Sequence, residues 1–352
     1  MIRNLFGIIC IATIVVVFAF FNNRTSVPAE SPKAKVEVSG PIFGTQYGIT
    51  VVGDYPGGSV KLEQDAMEIL NRINSEISTF NKNSELYRFN DFQSTDKFPI
   101  SEDTAFMIAE SMRIGRLLNG VMDITVGPLV DLWGFGHIKK EEGFVPSDEE
   151  IAEAKKIVGL DKIHLEFNYN GSFLRKDHPL MRVDLATIGE GFAADQLAKM
   201  LNNRGISNYL VHVAGSIRAK GLNANGIPWK IAIEEPEDTI GKPHALIDIH
   251  NLAVSTAGSY RNYFEKNGKR FSHAINPGTG KPIDHDTVSV TVIGDTATFT
   301  DALDTGLLVM GADKALVFAN ENNLAIYCLV KTKDGFKARY SRAFKNYLVP
   351  IK

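Results

Sequence analysis

Val183-Asp-Leu-Ala-Thr-Ile-Gly-Glu-Gly-Phe-Ala-Ala-Asp195 carries an apolar extended stretch, 181–185, straight into a glycine-spaced helix start. Gly189-x-Gly191-x-x-Ala194 matches the fingerprint in which a strand, a tight turn and a helix N-terminus cradle a pyrophosphate on free N–H groups. A parallel dinucleotide-binding fold would also place an acid about 20 residues further on, at the end of the next strand. The strand read at 209–213 runs instead into Ala214-Gly215-Ser216, and Glu190 within the loop repels a bare phosphate. Two readings stand. One is a tight strand-to-helix turn; the other is an anion site whose acid faces a divalent cation, a base or a ribose.

Toward the N-terminus, a strand at 49–52 and the turn Asp54-Tyr-Pro-Gly-Gly58 precede Leu62, Ala66, Ile69, Leu70, Ile73 and Ile77, which recur at helical spacing. Ser101 before Glu102 and Asp103, and Ser147 before its own acidic turn, have the form of helix caps; they predict helices to about 118 and through 157. Toward the C-terminus, strand patterns recur at 229–233, 245–249, 287–293 and 324–331, with helices following Phe192 and Phe299. Strands and helices interleave. The predicted class is α+β (mixed α/β), one domain with a mixed-sheet core, flanking helices and an N-terminal helical subregion.

The 352 residues are 44% hydrophobic and 22% charged with a net charge of -3, which excludes intrinsic disorder, a collagen-like repeat and a polytopic membrane protein. No Lys/Arg stripe interleaves with aromatics, so nucleic acid is not an expected partner. Two cysteines rule out a disulfide framework, and Cys328, inside an apolar run, reads as a buried small hydrophobe. Residues 5–21 form an uncharged apolar run after Arg3, at the border between a signal-peptide core and a membrane span. No small-x-small site closes the run, so the reading is an uncleaved anchor over 1–24, with a cleaved signal or a buried core helix as alternatives. An anchor or a signal places the rest outside the cytoplasm, on the periplasmic face of the inner membrane. Residues 25–38, with Pro28, Pro32 and alternating charges, read as a linker, leaving 39–350 as the folded domain.

Two further stretches concentrate chemistry. In Thr298-Phe-Thr-Asp301-Ala-Leu-Asp304-Thr305, the i, i+3, i+4 spacing puts Asp301, Asp304 and Thr305 on one helix face. Their hard oxygens suit magnesium better than zinc, although acids in a first helical turn also answer its dipole. In Ser272-His-Ala-Ile-Asn-Pro-Gly-Thr-Gly280, His273 precedes an Asn-Pro turn. Loop histidines are usually inert, yet a histidine is the natural general base near neutral pH. The other seven histidines form no zinc-binding pattern.

Taken in order, these stretches resemble one family, the FAD:protein FMN transferases of the ApbE type. The resemblance begins at Phe43-Gly-Thr45 and continues through Ser78-Thr-Phe-Asn-Lys-Asn-Ser-Glu85 and Met122-Asp-Ile-Thr-Val-Gly-Pro-Leu-Val-Asp-Leu-Trp-Gly-Phe-Gly136. It includes 183–195, Pro228-Trp229, Ser255-Thr-Ala-Gly-Ser-Tyr-Arg261 and 272–280, and closes at Asp301-Ala-Leu-Asp-Thr305. The resemblance implies a T-fold-like core and a magnesium-dependent reaction. FAD is cleaved at its pyrophosphate, FMN is joined to a threonine of an acceptor protein, and AMP leaves. The implied acceptors are subunits of sodium-pumping quinone reductases and Rnf-type complexes.

Position by position, the resemblance makes Thr187, Asp301 and Thr305 magnesium ligands with Asp304 beside them. It makes Phe43, Phe80, Val121, Met122, Asp123, Asp184, Glu190 and Ile275 flavin-nucleotide contacts, and His273 the base that deprotonates the acceptor threonine. The chain departs from the family pattern at Phe43 (usually Met), Phe80 (often Tyr), Val213-Ala-Gly-Ser216 (commonly Gly-Gly-Asp) and Ala257 (usually Ser). These changes leave open whether such a pocket transfers FMN or hydrolyses FAD to FMN and AMP. A chain that only binds FAD outside the cytoplasm is the reading from another class.

Overall fold

A computed structural model of the chain describes residues 32–350, apart from 137, 139, 142, 237–242 and 261. The anchor read at 1–24 and the first part of the linker lie outside the described residues. Among those described, no helix is long and apolar enough to cross a membrane.

The chain opens with strands β1 (Lys35–Ile42) and β2 (Thr45–Val52), joined by the turn Phe43-Gly44. Helices α1 (Gly58–Ile77) and α2 (Glu85–Asp91), strand β3 (Phe98–Ile100) and helices α3 (Glu102–Leu117), α4 (Gly127–Leu132) and α5 (Asp148–Lys155) follow. Strands β4 (Ile163–Asn168) and β5 (Gly171–Lys176) pair, and β5 also pairs β3. Helix α6 (Gly189–Asn203) precedes β6 (Tyr209–Val213), β7 (Ser216–Lys220), β8 (Trp229–Glu234), β9 (Pro243–Ile249) and β10 (Ala253–Gly258). Two small ribbons come next, β11 (Tyr263–Lys266) with β12 (Lys269–Ser272), and β13 (Ile275–Asn276) with β14 (Lys281–Pro282). The chain ends with β15 (Thr287–Gly294), α7 (Ala297–Met310), α8 (Ala312–Glu321), β16 (Ala325–Thr332), β17 (Gly335–Tyr340) and β18 (Leu348–Val349).

Eight strands form the central sheet in the order β1-β2-β6-β7-β10-β15-β16-β17. The α+β class holds, and every pairing within this sheet is antiparallel rather than mixed. The physical reason lies in the connections: β1–β2 and β6–β7 close through two-residue turns, too short for a parallel crossover. Period-2 alternation sends the two faces to different partners. Val211, Val213, Val290, Val292, Ile326 and Cys328 pack under α1, α6 and α7, whereas Leu210, Ile217, Tyr327 and Leu329 meet Trp229, Ile231 and Ile247 of the small β8-β9-β18 sheet. With both faces covered, β15 is buried along nearly its whole length. Cys328 is fully buried, as expected, and burial pushes its thiol up to about 12.

Several predicted boundaries differ, among them the start of β2 at Thr45 rather than 49, and three bear on the fold. Lys35 to Val38, read from composition as linker, are the first half of β1, because Val36 and Val38 alternate onto the core. Helix α5 ends at Lys155 rather than 157. The stretch 181–185 is extended but joins no sheet. Two side chains and a backbone bond to Ile124 hold it instead, as described below.

Candidate active site

Helix α7 is capped by Thr296, whose hydroxyl accepts from the Phe299 N–H at 3.3 Å. Asp195, from α6, accepts from the Ala297 N–H at 3.0 Å and from the Thr298 N–H and hydroxyl at 2.8 and 2.7 Å. The two helices are thereby locked with α7's acidic face against the start of α6. Asp301 accepts from the Gly191 N–H at 2.8 Å and also receives the Glu190 N–H and the Ser216 hydroxyl. The first amides of α6, which the sequence pattern offered to a pyrophosphate, are therefore occupied by a carboxylate of this chain. Gly191 is required by packing: a Cβ there would lie 2.2 Å from the Ala297 carbonyl oxygen. Gly189 similarly leaves room for Ile77. The glycine spacing thus serves close helix contact.

Asp301, Asp304 and Glu190 face one another, as the helical spacing predicts for the first two. Asp304 is 2% exposed, and burial, reinforced by the Asp301 charge, raises its carboxyl well above the ordinary range. Burial likewise takes Glu190 up to about 8, with Asp301 adding to it, and Asp301 up to about 7, partly offset by the Gly191 N–H. Among the described residues no salt bridge reaches any of the three. The Thr305 hydroxyl donates to Asp304 at 3.1 Å. Thr187, at the entry to α6, has a buried hydroxyl without a hydrogen-bond partner among the described residues.

The segment 121–136 runs from this group toward His273. Gly306, on the next turn of α7, sits against Met122. The Asp184 N–H donates to the Ile124 carbonyl at 2.8 Å, bringing the 181–187 stretch alongside. Burial raises the Asp184 carboxyl, which accepts from the Ala186 N–H. Asp123 has its carboxylate engaged by the Thr125 N–H and hydroxyl at 2.7 and 2.6 Å, and burial raises it too. Val121 is half-buried beside Met122. Farther along, the Trp133 indole N–H donates to the Gly280 carbonyl at 2.8 Å, and Phe135 meets the His273 ring edge-on at 6.5 Å. Ile275 packs with Leu129 and Trp133 in the same apolar cluster.

His273 Nδ1 lies 3.1 Å from the Asn262 carbonyl oxygen, which can only accept, so Nδ1 carries the proton and Nε2 presents its lone pair. Burial lowers the pKa of the ring and favours this neutral form. No hydrogen bond among the described residues joins His273 to the carboxylates, and segment 121–136 runs between them. Phe43 occupies the β1–β2 turn at φ 52°, and Gln46, just beyond it, accepts from the Ala214 N–H at 2.9 Å. The Gly215 N–H in turn donates to Glu190, so Phe43 shares one end of the sheet with the acids. Phe80, after α1, is 71% exposed, leaving a free aromatic face.

The ApbE family profile matches residues 43–329. The chain belongs to the ApbE family. An FAD:protein FMN transferase of Escherichia coli K12 is 43% identical over 326 residues, covering 92% of this chain and 93% of that one. A Vibrio cholerae protein of the same name is 41% identical over 91% of this chain and 94% of its own. The solved flavin transferase ApbE from Vibrio cholerae superposes with a TM-score of 0.81 at 40% identity, covering 90% of this chain and all of that one. The apo form of the Pseudomonas stutzeri flavinyl transferase ApbE gives a TM-score of 0.79 at 31% identity over 89% and 96%.

Within this ApbE chain, sequence reasoning missed six participants. Asp195 and Ser216 escape notice because their partners lie on other elements, 102 positions away for Asp195 and Ala297. Ser216, Ser255 and Thr300 form a buried hydroxyl relay at 3.0 and 2.8 Å, for which no local pattern exists. Asn90 and Lys176 hold the 181–184 stretch. Both lie in polar sequence surroundings, so nothing local marks them as buried.

Proposed function

We propose that this chain transfers the FMN moiety of FAD to a threonine hydroxyl of an acceptor protein and releases AMP. The observation that carries this reading is the group Glu190, Asp301 and Asp304, the two aspartates buried and Glu190 half-buried beside them, with no salt bridge to a cationic side chain among the described residues. Buried carboxylates are stable only when protonated or paired with a cation. Among the described residues no three Asp, Glu, His or Cys side chains form a ready metal cage. Magnesium commonly takes one or two carboxylates and fills its shell with water and substrate phosphate, so this donor set fits it. Asp301, Asp304, Thr305 and the unpartnered Thr187 hydroxyl would hold the ion. When bound, it supplies charge neutralisation to the pyrophosphate oxygens.

The remaining steps belong to side chains. Exposed Phe80 stacks on the isoalloxazine, and Phe43, Met122 and Ile275 give apolar walls. His273 Nε2 accepts the proton of the acceptor threonine as its oxygen bonds to the FMN phosphorus and the P–O bond to AMP breaks. The uncleaved segment 1–24 holds the domain on the periplasmic face of the inner membrane, where quinone-reductase and Rnf-type subunits present their acceptor threonines.

The test incubates the chain with FAD, magnesium and such an acceptor domain, follows the acceptor's intact mass and assays AMP, with an acceptor-free control. A gain of one phosphoester-linked FMN, with AMP formed only when acceptor is present, is the expected result. AMP and free FMN without acceptor would make the chain an FAD pyrophosphatase. No turnover would leave a flavin-binding protein.

A further inference from the structure

The stretch 181–187 carries Asp184 and Thr187 but belongs to no sheet, so something else must fix its backbone. Asn90, in the last turn of α2 and 2% exposed, does so as a strand would. Its Oδ1 accepts from the Val183 N–H at 2.7 Å, and its Nδ2 donates to the Val183 carbonyl at 2.8 Å. Lys176, at the end of β5 and fully buried, sends its Nζ to the carbonyls of Phe89 at 3.1 Å, Asn90 at 3.5 Å and Met181 at 3.2 Å. A buried ammonium is costly, and here its donors go to backbone oxygens of two segments that would otherwise separate. At its other end α2 is capped by Ser84, whose hydroxyl bonds to the Ser78 carbonyl, while the Ser78 hydroxyl accepts from the Phe80 N–H at 3.3 Å. The seven-residue helix α2 thus spans the interval between the loop of Phe80 and the backbone of Asp184.

We propose that Asn90 and Lys176 are positioning residues that set the spacing between the stacking wall at Phe80 and the polar wall at Asp184 and Thr187. The proposal rests on the flavin-nucleotide reading of the site. Ser341 provides a matched control: its hydroxyl likewise bridges a backbone pair, donating to the Leu324 carbonyl at 2.7 Å and accepting from the Ile326 N–H at 3.0 Å, at the β16–β17 edge of the sheet.

The experiment compares the full chain with Asn90→Ala, Asn90→Asp, Lys176→Met and Ser341→Ala. FAD affinity is measured by fluorescence in EDTA, and hydrogen exchange is measured over 181–188. Asn90→Ala and Lys176→Met are expected to weaken FAD binding about tenfold or more, the scale of lost outer-shell support, and to speed exchange in 181–188. Asn90→Asp, which keeps the acceptor for the Val183 N–H, falls between, and it decides the matter if the alanine variant does not fold. Ser341→Ala lowers the melting temperature but leaves FAD affinity within about twofold of the parent. Equal FAD affinity across all variants, with only melting temperatures changed, would overturn the positioning role. A parent that binds no FAD overturns the functional reading instead, and the exchange comparison then decides alone whether Asn90 and Lys176 pin the segment.

Discussion

Asp301 combines two demands: it accepts the first amides of α6 and it shares a buried space with Glu190 and Asp304. Asp301→Asn separates them, since the amide oxygen still receives the Gly191 N–H while the charge disappears. Transfer should fall by about 10³-fold, the scale of several kcal/mol of lost metal stabilisation, with the fold retained; unchanged turnover would remove Asp301 from the metal set. His273→Ala should keep FAD affinity and slow transfer by about 10²–10⁴-fold in single-turnover mass measurements. The shared helix face of Asp301 and Asp304 was legible in the sequence from their spacing, and the structure does bring the two together; His273 has no such pattern, and only its loop and the family resemblance single it out. Asn90, Lys176 and Asp195 were not legible, because each acts on backbone that only the fold brings near.

At the level of elements, the contact between α6 and α7 governs the site. Gly191→Ala places a methyl group 2.2 Å from the Ala297 carbonyl oxygen, on backbone that cannot swing away. Urea unfolding should show a loss of about 1–3 kcal/mol, the usual cost of overpacking. Asp195→Ala removes three hydrogen bonds from the first turn of α7, and about 1–2 kcal/mol should go with them. Long elements such as α1, with its apolar stripe, and α3, with its serine cap, could be placed from sequence. Strand β1 was masked by linker-like prolines before it, and 181–185 was taken for a strand because an extended apolar segment looks the same whether a neighbouring strand or an asparagine pairs with it.

Across the whole molecule, the buried acids tie stability to pH. Carboxyls raised to about 7 and 8 in the folded chain bind protons that the unfolded chain has already lost, so metal-free stability declines as pH rises through those values. In the window from pH 6.5 to 8, histidines near their ordinary value and Lys176, which burial lowers to about 8, titrate as well, so it is the magnesium dependence of the slope that singles out the acids. In EDTA the melting temperature should drop across this window, and millimolar magnesium should flatten the slope; a slope indifferent to magnesium would count against the ion. The first described strand has a consequence of a different kind. Lys35 pairs with Val52 at one end of the sheet, and eight residues later the chain reaches the Phe43 turn at the end that holds the acids. At about 3.4 Å per residue that is roughly 27 Å. Any attachment ahead of β1 would therefore hold the chain at the pole opposite the chemistry and leave the acid-bearing end of the sheet pointing away from the point of attachment.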